Sequence, residues 1–562
     1  MLKKLYPLAF TALAAFGAGA LVARPTELPP ITVAMLKSAQ EVMGLSFSDA
    51  QLDSTRQNLT GYRNSYETLR KLPLPNSVAP SMVFDPRPLR LRQLPGKART
   101  KTAGDLARIG PVKLPGNRDD LAFYTVRQLG ELLRTKQVSS VELTEFFLAR
   151  LKKYDPKLRC VISLTEDLAL RQARQADQEI KAGKYRGPLH GVPFGVKDLF
   201  SAKGYKTTWG AVPYKEQVLN EDAAVVERLR DAGAVLLAKL TLGELAQGDV
   251  WFGGQTRTPW DISRGSSGSS AGSASAVAAG LLPFAIGTET LGSIISPSTA
   301  CGVTGLRPTY GRVSRAGAMA LSWSMDKAGP IARSAEDCAL VLGALTVAGP
   351  DPRDPATLQV PGEFRYAFDA NLKKLRVGYL KASFDADHAT KASDEAVLAV
   401  LRQLGVELVP LELPAVEVAA LRFVLTAEGA AAFDELTRTG GVNQMVLQHR
   451  YAWPNTFRSA RFVPAVEYLQ AQRVRGQLIE QLDARLQGLD AYVAPTFGNT
   501  SLLMTNLTGH PAVVVPTGLN ARGLPTTITF TGQLYEEGKL LALAKAYQDA
   551  TDFDEKRPAM NF

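Results

Sequence analysis

Asp222-Ala223-Ala224-Val225-Val226-Glu227-Arg228-Leu229-Arg230-Asp231-Ala232-Gly233-Ala234-Val235-Leu236-Leu237-Ala238 carries the fold reading. Residues 222–231 read as a helix. Gly233 supplies its stop, because glycine takes the left-handed conformation without a Cβ clash, and residues 234–238 read as a buried strand. Outward from this unit, Leu281 to Ile286 is another short apolar run bounded by glycines. Leu375-Arg376-Val377-Gly378-Tyr379 opens a further strand, with a helix at Asp394 to Leu404. Upstream, Ser139-Ser140-Val141-Glu142 is a capping box, and Leu143, Phe146, Phe147, Arg150 and Leu151 follow one helix face. Alternation of this kind predicts the α/β class, a sheet flanked by helices. No repeat of fixed period is visible.

The chain has 562 residues, 45% hydrophobic and 21% charged, enough for a large core and unlike a disordered composition. Lys3 and Lys4 precede an apolar run from Leu5 to Ala23 that contains Ala18-Gly19-Ala20. A short positive end, an apolar region and small residues describe a signal peptide, so the expectation is export to the periplasm or outside the cell with cleavage, an uncleaved anchor being the alternative. No later run is apolar enough to span a bilayer. Cys160, Cys301 and Cys338 cannot build a disulfide framework and read as buried packing thiols. His190, His388, His449 and His510 are scattered, none at metal-ligand spacing, so neither metal nor cofactor is expected.

Ile31 to Leu72 reads as a small helical unit. Ser48 and Gln51 match a capping box, and Leu52, Leu59, Tyr62, Tyr66 and Leu69 recur at helical intervals. A Pro-rich connector follows from Pro73 to about Asp120. The formal net charge is +11, and part of the excess lies between Arg87 and Arg118, interleaved with Pro86, Pro88, Pro95, Pro111 and Pro115. Prolines prevent a folded basic face, so this reads as a solvated, extended connector and not as a nucleic-acid surface.

Three segments carry chemistry. Gly191-Val192-Pro193-Phe194-Gly195-Val196-Lys197-Asp198 sets a lysine among apolar residues; Gly265 to Ser275 is rich in glycine and serine; and Gly287-Thr288-Glu289-Thr290-Leu291-Gly292-Ser293 ends in a serine near backbone amides. A lysine is neutral at pH 7 only if its site lowers a reference pKa of about 10.4, and burial shifts lysines by about 3 to 5 units. The bland alternatives are a surface Lys197 paired with Asp198, a flexible Gly/Ser linker, and a turn at Gly292-Ser293. The linker is disfavoured because Ala274-Ser275-Ala276-Val277-Ala278-Ala279 continues directly as a small-residue helix.

In order and approximate spacing these segments resemble the amidase signature family of serine hydrolases. The resemblance extends through Thr258-Pro259-Trp260-Asp261, Cys301-Gly302-Val303-Thr304-Gly305-Leu306-Arg307-Pro308-Thr309, Asp326-Lys327-Ala328-Gly329-Pro330 and Asn506-Leu507-Thr508-Gly509-His510-Pro511-Ala512. It implies one large, twisted, mixed sheet with helices on both faces over residues 121–562, after a signal peptide at 1–23 and a helical extension with basic connector at 24–120. It further implies Ser293 as nucleophile, Lys197 as base and Ser269, after a cis peptide bond, as relay. The amides of Thr290, Leu291, Gly292 and Ser293 would form the oxyanion hole. The expected activity is hydrolysis of a small-molecule carboxamide, or an ester, through a serine acyl-enzyme. Oligomeric state and substrate identity are left open.

Three positions depart from the family pattern, which usually has Asp at Glu289, Gly at Leu291 and Arg at Ile295. A positive φ at position 291 would strain leucine. Rival readings are an α/β-hydrolase elbow at Gly268-Ser269-Ser270-Ala271-Gly272, with Ser270 as nucleophile and His449 or His510 as base, an S-x-x-K match at Ser324-Met325-Asp326-Lys327, and a catalytically degenerate binding protein. The elbow is disfavoured because Thr258 to Arg264 does not read as a strand. The S-x-x-K match lacks its companion motifs. Within the family, Gly311-Arg312-Val313-Ser314-Arg315 resembles the amidase component of the tRNA-dependent amidotransferase, but that enzyme's tyrosine-rich glutamine-binding motif has no counterpart in the C-terminal third.

Overall fold

The computed structural model describes residues 29–72, 74–92, 111–346, 349–360, 364, 366 and 371–562. The expected signal peptide lies outside the described residues. The chain divides into two units, Met1–Pro73 and Leu74–Phe562. The described part of the first holds helices Val33–Val42 and Asp49–Leu69, the second started by the Ser48/Gln51 capping box. Its helical period is present, but only Leu52 is buried, while Tyr62, Tyr66 and Leu69 are exposed.

The second unit is built on an eleven-stranded sheet. In spatial order its strands are Val161–Leu164, Val235–Leu240, Pro193–Lys197, Phe284–Glu289, Lys327–Ala332, Thr304–Arg307, Ala512–Leu519, Pro525–Gly532, Ala491–Pro495, Arg376–Leu380 and Glu407–Leu411. The sheet is mixed. Pro193–Lys197 runs parallel to both its neighbours, as does Arg376–Leu380, while the other pairings are antiparallel. Pro193–Lys197 and Val235–Leu240 are buried at every position, as strands covered on both faces must be. The quoted stretch forms the helix Ala224–Asp231 and the strand Val235–Leu240, joined through Gly233 at φ +83°. The three cysteines are buried and unpaired.

The connector differs from its expectation over residues 74–92. Asn76 exchanges two hydrogen bonds with the backbone of Ala320, at 2.8 and 2.6 Å, and Arg90 pairs with Asp483 through two contacts of 2.6 Å. Arg87 and Arg92 pair with Asp85, and Pro86 and Pro88 are buried. The prolines limit regular structure but not packing, so a segment that is irregular except for the short helix Leu89–Arg92 docks on the sheet unit through side chains.

Candidate active site

Lys197 is the last residue of its strand, and the parallel partner Phe284–Glu289 ends beside it. Its side chain is fully buried. The Nζ lies 2.7 Å from Ser269 Oγ, 2.9 Å from Thr288 Oγ1 and 3.2 Å from Ser270 Oγ, and no carboxylate bonds it among the described residues. Loss of solvation therefore dominates, opposed only by the more distant Asp326 and Glu289, and the pKa falls to about 7. Asp198, the partner in the alternative of a surface ion pair, forms a buried pair with Lys239 at 2.8 Å instead. Alternation along the strand separates the two neighbours.

Ser269 follows a cis peptide bond with Gly268. Gly268 must lack a side chain, because a Cβ there would lie 1.8 Å from the carbonyl oxygen of Gly248. Beyond Ser270 the chain enters the buried helix Ala271–Ala278. Ser270 N donates to Ser293 O at 3.1 Å, which sets the two serine segments side by side. Ser293 is 8% exposed, and its hydroxyl has no hydrogen-bond partner among the described residues. The structure thus joins Lys197 to Ser269 and leaves Ser293 Oγ free; catalytic contacts of this kind commonly tighten only when substrate is bound.

The turn that carries Ser293 is held from beneath by Glu289. Its Oε2 accepts from the backbone N–H groups of Ile294 and Ile295 at 2.9 and 3.0 Å, and its Oε1 accepts from Arg307 and Asn506, both at 2.8 Å. Burial opposes the charge, but Arg307 and the two amides outweigh it and hold the carboxyl at about 2. Thr290 Oγ1 donates to Asp326 at 2.6 Å, and Asp326 accepts from the amides of Leu321 and Ser322. The amides of Thr290, Leu291, Gly292 and Ser293 donate to no protein group among the described residues, which leaves four unengaged donors beside the Ser293 hydroxyl. The positive φ falls at Gly292, +81°, and not at Leu291, which is therefore unstrained. Ile295 is buried with Ala512 and Val514, so this site has an apolar contact where the family pattern places arginine.

The rival assignments do not assemble. Residues 257–258 and 261–265 do form a two-stranded hairpin, contrary to the sequence reading, closed by the two-residue turn Pro259-Trp260. That hairpin lies outside the main sheet and ends at Gly265, so no strand runs into Ser270 as an elbow requires. Ser270 is fully buried, its Oγ engaged by Thr288 N, Thr288 O and Lys197. Burial pulls His510 down to about 3, and it bonds Thr508. Ser324 Oγ is bound to Glu428 and Arg475, not to Lys327. Trp453 stacks on Phe457 and donates to Leu245 O, a packing role. Sequence reasoning missed Thr288, the second hydroxyl on Lys197, although it stands in the quoted run. It also missed Arg307, Asp326 and Asn506, whose roles depend on contacts between distant segments.

A mixed sheet of this order, with a lysine-bearing strand set against a Gly/Ser-rich turn, defines an α/β amidase fold. The chain belongs to the amidase signature family: the family model described as Amidase matches residues 142–505. Native peptide amidase from Stenotrophomonas maltophilia is 34% identical with a TM-score of 0.69, over 78% of this chain and 99% of that one. An amidase family protein from Bacillus anthracis str. Ames is 27% identical with a TM-score of 0.71, over 78% and 93%. The A subunit of glutamyl-tRNA(Gln) amidotransferase from Acinetobacter baumannii (strain AYE) is 35% identical over 492 residues, 78% of this chain and 99% of the relative.

Proposed function

We propose that the protein is an exported, stand-alone amidohydrolase that cleaves a carboxamide, or an ester, through an acyl-enzyme on Ser293. The observation that carries this reading is Lys197, fully buried without a carboxylate partner and bonded to Ser269 beside the Ser293 turn. As a neutral amine, Lys197 takes the Ser269 proton while Ser269 Oγ takes that of Ser293. Ser293 Oγ attacks the carbonyl carbon, and the oxyanion meets the amides of residues 290–293. The proton returns through Ser269 to the departing amine, and water repeats the cycle on the ester.

Fluorophosphonate labelling with peptide mapping tests it. Label on Ser293 is expected; label on Ser270, or none on folded protein, overturns it. A chelator is expected to leave the rate unchanged, since every step uses side chains and amides of this chain.

A second reading, a component of a tRNA-dependent amidotransferase, rests on the 35% identity with the glutamyl-tRNA(Gln) amidotransferase relative. The signal-like N-terminus and the added helical unit favour the stand-alone enzyme. N-terminal sequencing of protein from the periplasmic fraction should find a start near residue 24; recovery of the full chain in the cytoplasm would remove the support from export.

A further inference from the structure

A cavity of about 280 Å³ reaches the catalytic region at Thr288 and Thr290. Thr288 bonds Lys197, and Thr290 is the first of the four free amides. Lys197, Ser269 and Ser293 do not themselves line it. One part of its wall comes from the segment that precedes the catalytic region: Asn76, Ser77, Ala79, Pro80, Met82 and Val83. Leu199, Met319, Leu321 and Trp323 are among the residues completing it. Four of the charged groups in the wall are engaged within the protein, whereas Lys327 Nζ is buried without a hydrogen-bond partner and Glu221 is exposed with no ion pair among the described residues. Arg315 pairs with Asp354 at 2.9 Å, Arg353 with Glu227 at 2.6 Å, and Asp326 with Thr290 and two amides.

The segment is pinned at both ends and free between them. At one end Asn76 matches the N–H and C=O of Ala320. At the other, Phe84 packs edge-on against Tyr310, with ring centroids 5.1 Å apart, and lies 3.6 Å beneath the Arg475 guanidinium. Between these anchors no hydrogen bond joins residues 77–83 to the catalytic body among the described residues; Val78 N bonds Pro75 O within the segment itself. Met82 is 67% exposed and Val83 39% exposed while both line the cavity, so they contribute surface to the site and little to the core. A chain held only at its ends, with apolar side chains at the cavity, suits a contact surface for substrate.

Building on the Ser293 acyl-enzyme, we infer that residues 76–83 are the specificity-determining wall of this enzyme: the cavity takes amides with an apolar substituent, and Met82 and Val83 limit that substituent's length. The test uses ethyl and decyl fluorophosphonates, reading the rate at which each labels Ser293 in the full chain by mass spectrometry. In the double variant Met82→Ala, Val83→Ala the decyl-to-ethyl rate ratio is expected to rise about tenfold, and in Ala79→Phe to fall about tenfold, the order a few methylenes of pocket contact command. Melting temperatures should stay unchanged, since the three residues are exposed. Ratios equal to wild type in both variants, with Ser293 labelled by the ethyl probe, overturn the wall and leave the acyl-enzyme standing. Ser293 unlabelled by either probe in wild type overturns both.

Discussion

Lys197 meets only hydroxyl and carbonyl oxygens, and its sequence neighbour Asp198 is committed to Lys239. With the carboxylate diverted, desolvation is not compensated and the amine is half neutral near pH 7. Activity should therefore rise with pH through about 7, and kcat/KM plotted against pH should show an acidic limb there. A limb placed instead in the carboxylate range would point to another base. Lys197→Met should lower turnover by at least about a thousandfold. Its folded-state pKa lies below the unfolded 10.5, so the folded protein holds fewer protons across pH 7 to 10.5 and gains stability from this site as pH rises through that window. At pH 6 the methionine variant, which has no such charge to bury, is expected to melt no lower than wild type, as calorimetry would show.

The turn from Glu289 to Ile295 shows how an element absorbs departures from a family pattern. Glu289 anchors the amides just past Ser293, Gly292 takes the left-handed backbone, and Ile295 closes an apolar contact with Ala512 and Val514. Glu289→Ala leaves the buried Arg307 charge without its partner, which costs about 3 to 5 kcal/mol. Denaturant unfolding should register that loss. Gly292→Ala should act differently: it strains φ at +81° and brings a Cβ to 3.0 Å from Ser296 Oγ, so Ser293 labelling slows at a stability cost of about 1 to 2 kcal/mol.

At the scale of the whole molecule, the segment 74–92 belongs to the catalytic unit although it precedes the family match by some fifty residues. A chain beginning at Leu74 should keep the wild-type melting temperature and Ser293 labelling. A chain beginning at residue 93 loses the Arg90–Asp483 pair, the Phe84 contacts and one cavity wall, and should melt several degrees lower. Equal melting of both truncations would show that the segment adds nothing to stability. Among the described residues no helix is long and apolar enough to cross a membrane.

Local sequence carried a good share of this molecule. The helix and strand around Gly233, the capping boxes at Ser48 and Ser139, and the strand at Arg376–Leu380 are written in periods and caps of a few residues, which short-range sterics decide. The order of the lysine and the two serine segments was legible as well, through its resemblance to a family, and the structure joins Lys197 to Ser269 and brings the second serine segment alongside. Composition could not reveal that residues 74–92 are docked, that Asp198 serves Lys239, or that Glu289, Arg307 and Asn506 form one buried support for the Ser293 turn. Those facts depend on contacts between residues far apart in the chain, and only the assembled sheet decides which buried charges meet and which, like that of Lys197, are left to lose their proton.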